Sequence, residues 1–559
     1  MAIHNTNELV QAFSDRGFHY SKDLLFNYFL SLISKPFTIL TGISGSGKSK
    51  IAEVFAEIIA EDGNKNFELI PVKPNWRDNK GLFGYHNVID DSYYITPLIR
   101  LFIRALNDSN HPYFLILDEM NIAKAEHYFA DYLSIIESRR GTSIPADDSG
   151  VETFTYDGST SLSEAIILAA FDLGDTNTFR EIKEYRENRF SIKWKQQRFH
   201  GNNWTAQFRS ELNQGEGRLA HRVFEGGDGE YRMKKLTEMT PDDQNTVTRL
   251  YELYKTLVKC ETYEISQNNI VLHNSPLCIG ADGSKCNCVD CPFSISEKYK
   301  CPNLYIRETE TYLVPPEIPI PLNVFTIGTV NVDETTYMFS PKVLDRSNVI
   351  EFNEVDFVSL YDLTENCVSI LSENTRIISD NAFYFEENVD MPKMEVTLAT
   401  KSCVNTFSTK APETFEDLAK VFAVLKKYNM HFGYRVMNEI SCYMCNAMKY
   451  TSYENVSAVA LDNQILQKIL PKMHGAYDKL WAPLVDILAV ISTFDLELNA
   501  DMDATQLIEQ INNKAELEIS NLNMTIEDIK KVFKYPRSAI KVLEMLDTLG
   551  VSGFAAFIK

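Results

Sequence analysis

Residues 42–49 read Gly42-Ile43-Ser44-Gly45-Ser46-Gly47-Lys48-Ser49, a full G-x-x-x-x-G-K-[ST] match. Glycines at this spacing let successive backbone N–H groups turn into one concavity, and a helix starting at the end of the loop adds its positive terminus. Phosphate oxygens suit that geometry. Lys48 would reach the β- and γ-phosphates of a bound triphosphate, and the Ser49 hydroxyl would ligate Mg²⁺. About 70 residues further on, an apolar run ends in Asp118-Glu119. Asp118 would join the Mg²⁺ shell, and Glu119 would polarise the attacking water as general base. The chemistry these residues predict is hydrolysis of a nucleoside triphosphate.

Such groups need rigid elements to hold them. Residues 37–41 (FTILT) read as a short buried strand, followed by the glycine-rich turn and a helix over 48–60. A second strand is expected at 67–72, a helix at 97–106, a strand at 113–117 (YFLIL) and an amphipathic helix at 125–139. Strands alternating with helices imply a parallel sheet covered on both faces, an α/β fold. The alternation stops for about 180 residues and resumes at 324–330 (VFTIGTV) and 349–352. Residues 141–320 therefore read as an α+β insertion. From about residue 415 the pattern is mostly helical, after weak strand signals at 382–385 and 394–398.

These pieces carry a resemblance. The Asp118-Glu119 pair, followed by Met120-Asn121 and a helix, resembles the AAA+ class of P-loop nucleotidases. The stretch 324–352 is similar to its sensor-1 strand ending at Asn331, then a helix leading to Leu344-Asp345-Arg346. Within that class the McrB branch, the motor of modification-dependent restriction systems, matches best, on PNWRDNKGLFGYHN (74–87), DEMNIAKAEHYFADYLSIIE (118–137), GYRVMNEI (433–440) and QKILPKMHG (467–475). The resemblance implies an N-terminal segment (1–20), an AAA+ core in two parts (21–140 and 321–355), a mixed connector (356–414), a helical lid (415–480) and a C-terminal helical segment (481–559). It makes Asn331 sensor 1, with the alternative of an ordinary strand cap. Arg346 becomes the arginine finger reaching a neighbouring subunit's nucleotide, the alternative being a surface ion pair. Arg435 becomes a sensor-2 residue or simply part of lid packing. It further implies a homo-oligomeric, hexameric ring using ATP or GTP, ATP being favoured, with an McrC-like or nuclease partner protein. A MoxR-like protein-remodelling ATPase is the rival reading. Two features depart from the branch: Asn331 is followed by Asp333 and Glu334 rather than by the usual Asn-x-x-Asp, and the P-loop begins at residue 42 with no modified-base reader before it. Any DNA contact would then be made by other elements or through the partner.

The expected insertion contains Cys278, Cys286, Cys288, Cys291 and Cys301, with His273 upstream. Thiolates at such spacing can close a structural zinc site, though only Cys288 and Cys291 form a C-x-x-C; free thiols and a redox or Fe–S role are the other readings. Between residues 179 and 235, 13 Lys or Arg stand against 8 acidic residues, in a chain of net charge -22. Trp194, Phe199, Trp204 and Phe208 lie among Arg189, Lys193, Lys195, Arg198 and Arg209. That run fits nucleic acid, a protein partner or a plain small-domain core equally. The overall acidity argues against the whole chain binding nucleic acid. No apolar run approaches the roughly 20 residues that span a bilayer, and the first residues lack a signal-peptide pattern, so a cytoplasmic protein without membrane contact is expected.

Overall fold

The structure, a computed structural model, describes residues 5–60, 66–143, 163–164, 166–167, 176–178, 218–227, 230–234, 238–257, 263–286, 291–307, 309–331, 337–352, 394, 396–451, 455–496, 502–522 and 524–558. The chain divides into two compact units, Met1–Arg140 with Gln267–Lys559, and Gly141–Ser266. Residues 267–320, expected within the insertion, thus belong to the first unit. Ile270, Cys278, Leu304, Val314 and Ile318 are buried in its hydrophobic core, which is what ties this stretch there.

In the first unit α1 (Thr6–Ser14) and α2 (Lys22–Ser34) lead to β1 (Phe37–Gly42). Then come α3 (Lys48–Ile59), β2 (Phe67–Pro71), α4 (Pro97–Asn107), β3 (Tyr113–Asp118) and α5 (Ala130–Ser138). After the insertion the core continues with β4 (Val324–Asn331), α6 (Pro341–Leu344) and β5 (Asn348–Glu351). The five strands form one parallel sheet in the order β5-β1-β4-β3-β2. All six residues of β1 are buried, as are seven of eight in β4, which is why both read as continuous apolar runs rather than alternating ones. Adjacent strands β1 and β4 send their outgoing connections toward opposite edges of the sheet. The carboxyl ends of two such strands are where sheets of this kind hold ligands.

The helix expected over 125–139 is two pieces, Ala125–Tyr128 and α5, broken at Phe129. Phe129 leaves helical geometry as it packs, stacked at 4.5 Å on Tyr132 and 5.4 Å from Phe37. Residues 394 and 396–398 form no strand, contrary to the reading of 394–398; Thr397 N–H donates instead to the Ile33 carbonyl of α2. Residues 382–385 lie outside the described residues. The remaining chain is α7 (Lys401–Lys410), α8 (Pro412–Lys427), α9 (Tyr434–Tyr450), α10 (Val456–Gln464), α11 (Tyr477–Ile491), α12 (Ala504–Ala515), α13 (Ile526–Val532) and α14 (Pro536–Ser552). A closing strand, Phe554–Ala556, pairs with His474–Ala476. Among the described residues no helix is long and apolar enough to cross a membrane.

The inserted unit contains a three-stranded antiparallel sheet, with Glu230–Met233 between Thr176–Thr178 and Phe224–Gly227, and the helix Pro241–Leu257. Arg222 grips Asp243 through two nitrogens at 2.8 and 3.1 Å. The basic aromatic run from Arg189 to Arg209 lies outside the described residues.

Candidate functional site

The loop after β1 adopts the shape that its glycines permit. Gly45 and Gly47 have φ of 83° and 91°, the left-handed region that side chains resist. A Cβ on Gly47 would also stand 2.8 Å from the Tyr20 hydroxyl oxygen, and that hydroxyl donates to the Gly47 carbonyl at 3.1 Å. No side chain caps the first N–H groups of α3, whose N-cap is Gly47 itself. A helix terminus left this way carries about half a positive charge directed at the loop. The Lys48 ammonium curls into the loop and donates to the carbonyls of Gly42 (2.9 Å) and Ile43 (2.6 Å). Burial lowers its pKa, while Asp118 works in the opposite direction.

Register brings the acidic residues to this loop. Gly42 is opposite Asn331 across β1 and β4, and Gly328 is opposite Leu117 across β4 and β3. The Ser49 hydroxyl donates to Asp118 Oδ1 at 2.6 Å. Thr329 donates to the same oxygen at 2.7 Å, and its hydroxyl accepts the Glu119 N–H at 3.0 Å. Thr329 thereby fixes both acidic residues, and the sequence reading missed it. The one signal it offers is its position two residues before Asn331, on a strand that also carries Thr326.

Glu119 has φ of 52°, a left-handed conformation that costs a non-glycine residue on the order of 1 kcal/mol or more. The neighbouring Met120 N–H, bonded to the Thr329 carbonyl at 2.8 Å, helps to hold it there. Asn331 Nδ2 donates to Glu119 Oε1 at 3.1 Å, and Asn121 Nδ2 donates to the Asn331 carbonyl at 2.9 Å. One hydrogen-bonded chain therefore joins Ser49, Asp118, Thr329, Glu119, Asn331 and Asn121 at the carboxyl ends of the central strands. Asp333 and Glu334 lie outside the described residues.

Arg346 and Arg435 are placed elsewhere. Both guanidinium groups contact the Glu137 carboxylate near the end of α5, and Arg435 also lies 3.6 Å from Asp345. α5 ends at Ser138, and the next residue, Arg139, donates to the Ile320 carbonyl at 3.0 Å, four residues before β4 begins, so Glu137 lies toward the amino end of that strand. Asn348, two residues after Arg346, pairs with Thr38 near the start of β1. Four residues of strand, about 13 Å, then separate that level from Gly42.

Of the cysteines, Cys278 and Cys301 are buried and Cys286 and Cys291 partly so, all as free thiols. Burial pushes the Cys278 thiol up to about 12, and Cys286 and Cys301 add to the shift. His273 Nε2 donates to the Val314 carbonyl at 3.0 Å. Among the described residues no three His, Cys, Asp or Glu side chains are placed to hold a metal ion. Cys288 lies outside them.

No curated protein matches the chain. Residues 393–554 match a protein family described as Domain of unknown function (DUF8727), a span from just before α7 to the closing strand. It takes in Arg435, the end of what the sequence marked as a connector, the lid and most of the C-terminal segment, and it excludes every residue around the Gly42–Ser49 loop.

Proposed function

We propose that this chain is an Mg²⁺-dependent nucleoside triphosphatase of the AAA+ type, the ring-forming motor of an McrB-like restriction system that works with a separately encoded nuclease. The single observation that carries the nucleotidase reading is the hydrogen-bonded chain from Ser49 to Asn331 beside a glycine loop with an uncapped helix terminus. The donor set around Asp118 is all hard oxygen, from a serine, a threonine and a carboxylate, which suits Mg²⁺ rather than a soft metal. Bound there, Mg²⁺ would neutralise phosphate charge, with Ser49 and Asp118 holding it.

The chain's own residues supply the rest. Loop N–H groups and the α3 terminus bind phosphate oxygens, and Lys48 exchanges its two carbonyl partners for the β- and γ-phosphates. Glu119 accepts the proton of the attacking water, and Asn331 fixes the carboxylate that receives it. Arg346, at the far end of the sheet from its own loop, serves a neighbouring copy's triphosphate, which makes a ring necessary for turnover. The McrB assignment rests on the sequence resemblance, and ATP is favoured over GTP.

Thr329→Val keeps the shape and removes the hydroxyl shared by Asp118 and Glu119. Bonds to charged groups contribute about 1.5–3 kcal/mol each, so turnover should fall roughly 10- to 100-fold with folding retained. Steady-state phosphate release beside a circular-dichroism melt checks this; unchanged turnover would remove Thr329 from the site.

The restriction reading is tested by measuring ATP and GTP turnover with and without duplex DNA and with any nuclease found encoded beside this chain. Stimulation by the two together is expected. Turnover indifferent to both contradicts the restriction role and favours protein remodelling.

A further inference from the structure

Cys442 and Cys445 form a C-x-x-C on α9, and α7 brings Cys403 against them. Residues three apart share a helix face, so both α9 sulfurs turn toward α7. Each thiol has a carbonyl partner. Cys403 donates to Leu398 at 3.8 Å, Cys442 to Thr397 at 3.6 Å, and Cys445 to the Cys403 carbonyl at 3.3 Å. All three acceptors belong to residues 397–403, which gathers the three sulfurs at one seam. All three are free thiols. Among the described residues no three His, Cys, Asp or Glu side chains are spaced to hold a metal ion. The chemistry open to adjacent thiols is then oxidation to a disulfide.

The three thiols are not equivalent. Cys403 is the third residue of α7, behind the N-cap Thr400. A threonine in that place usually accepts a backbone N–H of the first turn. Here it caps none, and its hydroxyl lies 3.5 Å from the Cys403 sulfur, where it can donate to a thiolate. The helix terminus favours the same negative charge. Hydrogen bonds from Cys442 and Cys445 hold the Cys403 thiol well below its ordinary range, against the opposing effect of burial. The same bonds, with burial, push Cys442 and Cys445 up. One thiolate thus stands beside two thiols that keep their protons. Access differs as well: Cys442 is buried, whereas Cys403 and Cys445 are half-buried, so an oxidant that enters must be small.

From this geometry we infer that Cys403 and Cys445 are a peroxide-sensitive pair, Cys403 being the residue that a hydroperoxide oxidises and Cys445 the one that closes a disulfide from α7 to α9. The Cys403 sulfur attacks the terminal oxygen of the hydroperoxide and the O–O bond breaks. The leaving oxygen takes up the proton that Cys403 gave up, which yields Cys403 sulfenic acid and one molecule of water or alcohol. The Cys445 sulfur then attacks the Cys403 sulfur, and its proton departs with the hydroxyl group as water. Two thiols lose two electrons, and the hydroperoxide gains them. Cys445 is the partner because its sulfur already touches residue 403 and its half-buried position gives water a way out. Cys442, sealed behind them, holds the charge on Cys403 without reacting. The bond would join positions 42 residues apart in the chain, and the inference stands independently of the nucleotidase reading.

Peptide mapping of the full chain tests this. The reduced wild type is treated with hydrogen peroxide, its remaining thiols are alkylated, and the chain is cut with trypsin. Peptides 402–410 and 436–449 should appear joined, and a second cleavage after Tyr443 should leave the link on Cys445. Among the ten cysteines, Cys403 should be oxidised roughly tenfold faster than any outside the cluster. Cys445→Ser should stop at Cys403 sulfenic acid, trapped by dimedone, and Cys403→Ser should leave Cys445 reduced. The oxidised wild type should melt several degrees higher than the reduced chain, with the gain reversed by dithiothreitol and absent from Cys445→Ser. Because the mapping uses the wild type, a variant that folds poorly does not blunt the test. A link from Cys403 to Cys442, Cys445 oxidised in Cys403→Ser as fast as in wild type, or a Cys403 no faster than the other cysteines would each overturn the inference. Zinc retained by the purified wild type and lost from Cys403→Ser would overturn it too, by showing the cluster to be a metal site.

Discussion

Glu119→Gln is expected to lower ATP turnover about 10³-fold while leaving triphosphate affinity within a few-fold of wild type. A positioned general base contributes typically 10²–10⁴ in rate. The amide keeps the carboxylate's shape, and its oxygen can still accept from Asn331 Nδ2, now 3.1 Å from Glu119 Oε1. What it loses is the capacity to take a proton. The left-handed backbone at residue 119 aims the side chain and is held by Thr329 and Met120, so the substitution leaves the loop, Asp118 and Lys48 undisturbed. Single-turnover hydrolysis and equilibrium binding of a fluorescent nucleotide separate the two effects. Loss of affinity in step with loss of rate would show that Glu119 binds rather than activates.

The second large effect concerns stability. Glu439 is buried at 6% exposure between Lys35 and Lys468, and it carries the only carboxylate that both contact among the described residues. Burial by itself would raise this carboxyl, but the two ammonium groups overcome it and hold it at about 2. Glu439→Gln leaves two lysines in the interior without that counter-charge, and breaking a buried pair from one side costs about 3–5 kcal/mol. Replacing all three together, Glu439→Leu with Lys35→Met and Lys468→Met, should cost much less, because no uncompensated charge remains.

The direction with pH follows from the same shift. A carboxyl with a folded pKa below its unfolded value of roughly 4.3 stabilises the fold above that value. This contribution is lost as pH falls through about 2. Urea midpoints from pH 7 to pH 2 should therefore decline more steeply between pH 4.5 and 2 in wild type than in Glu439→Gln. Parallel curves would show that the carboxylate is not what holds α2, α9 and the segment after α10 together.

How much was legible depended on whether the chemistry was local in the chain. Gly42 to Ser49 could be read because a backbone that bends through φ near 90° at Gly45 and Gly47 leaves a fixed sequence trace. Asp118 and Glu119 were visible as the polar end of an apolar strand, whereas Asn331 on β4 was singled out only through the resemblance. Thr329 was hidden because a threonine on a buried strand looks like ordinary β propensity; only the register between β3 and β4 turns its hydroxyl toward Asp118. Arg435 was reached through the resemblance alone, and its contacts were not legible in the sequence. Its partner Glu137 is 298 residues away in sequence, a separation over which no spacing rule operates. The insertion's end was misplaced for a related reason: residues 267–320 lack the helix–strand alternation, yet their apolar side chains complete the first unit's core.

The function proposed for this chain depends on the loop at Gly42–Ser49 holding a triphosphate, and calorimetric titration of the wild type and of Lys48→Ala with a slowly hydrolysed ATP analogue, with and without Mg²⁺, tests that most directly. Wild type should bind in the micromolar range with Mg²⁺ and at least tenfold more weakly without it, and Lys48→Ala should lose at least 100-fold in affinity, about 2.7 kcal/mol. Equal affinity in the two proteins would contradict the account.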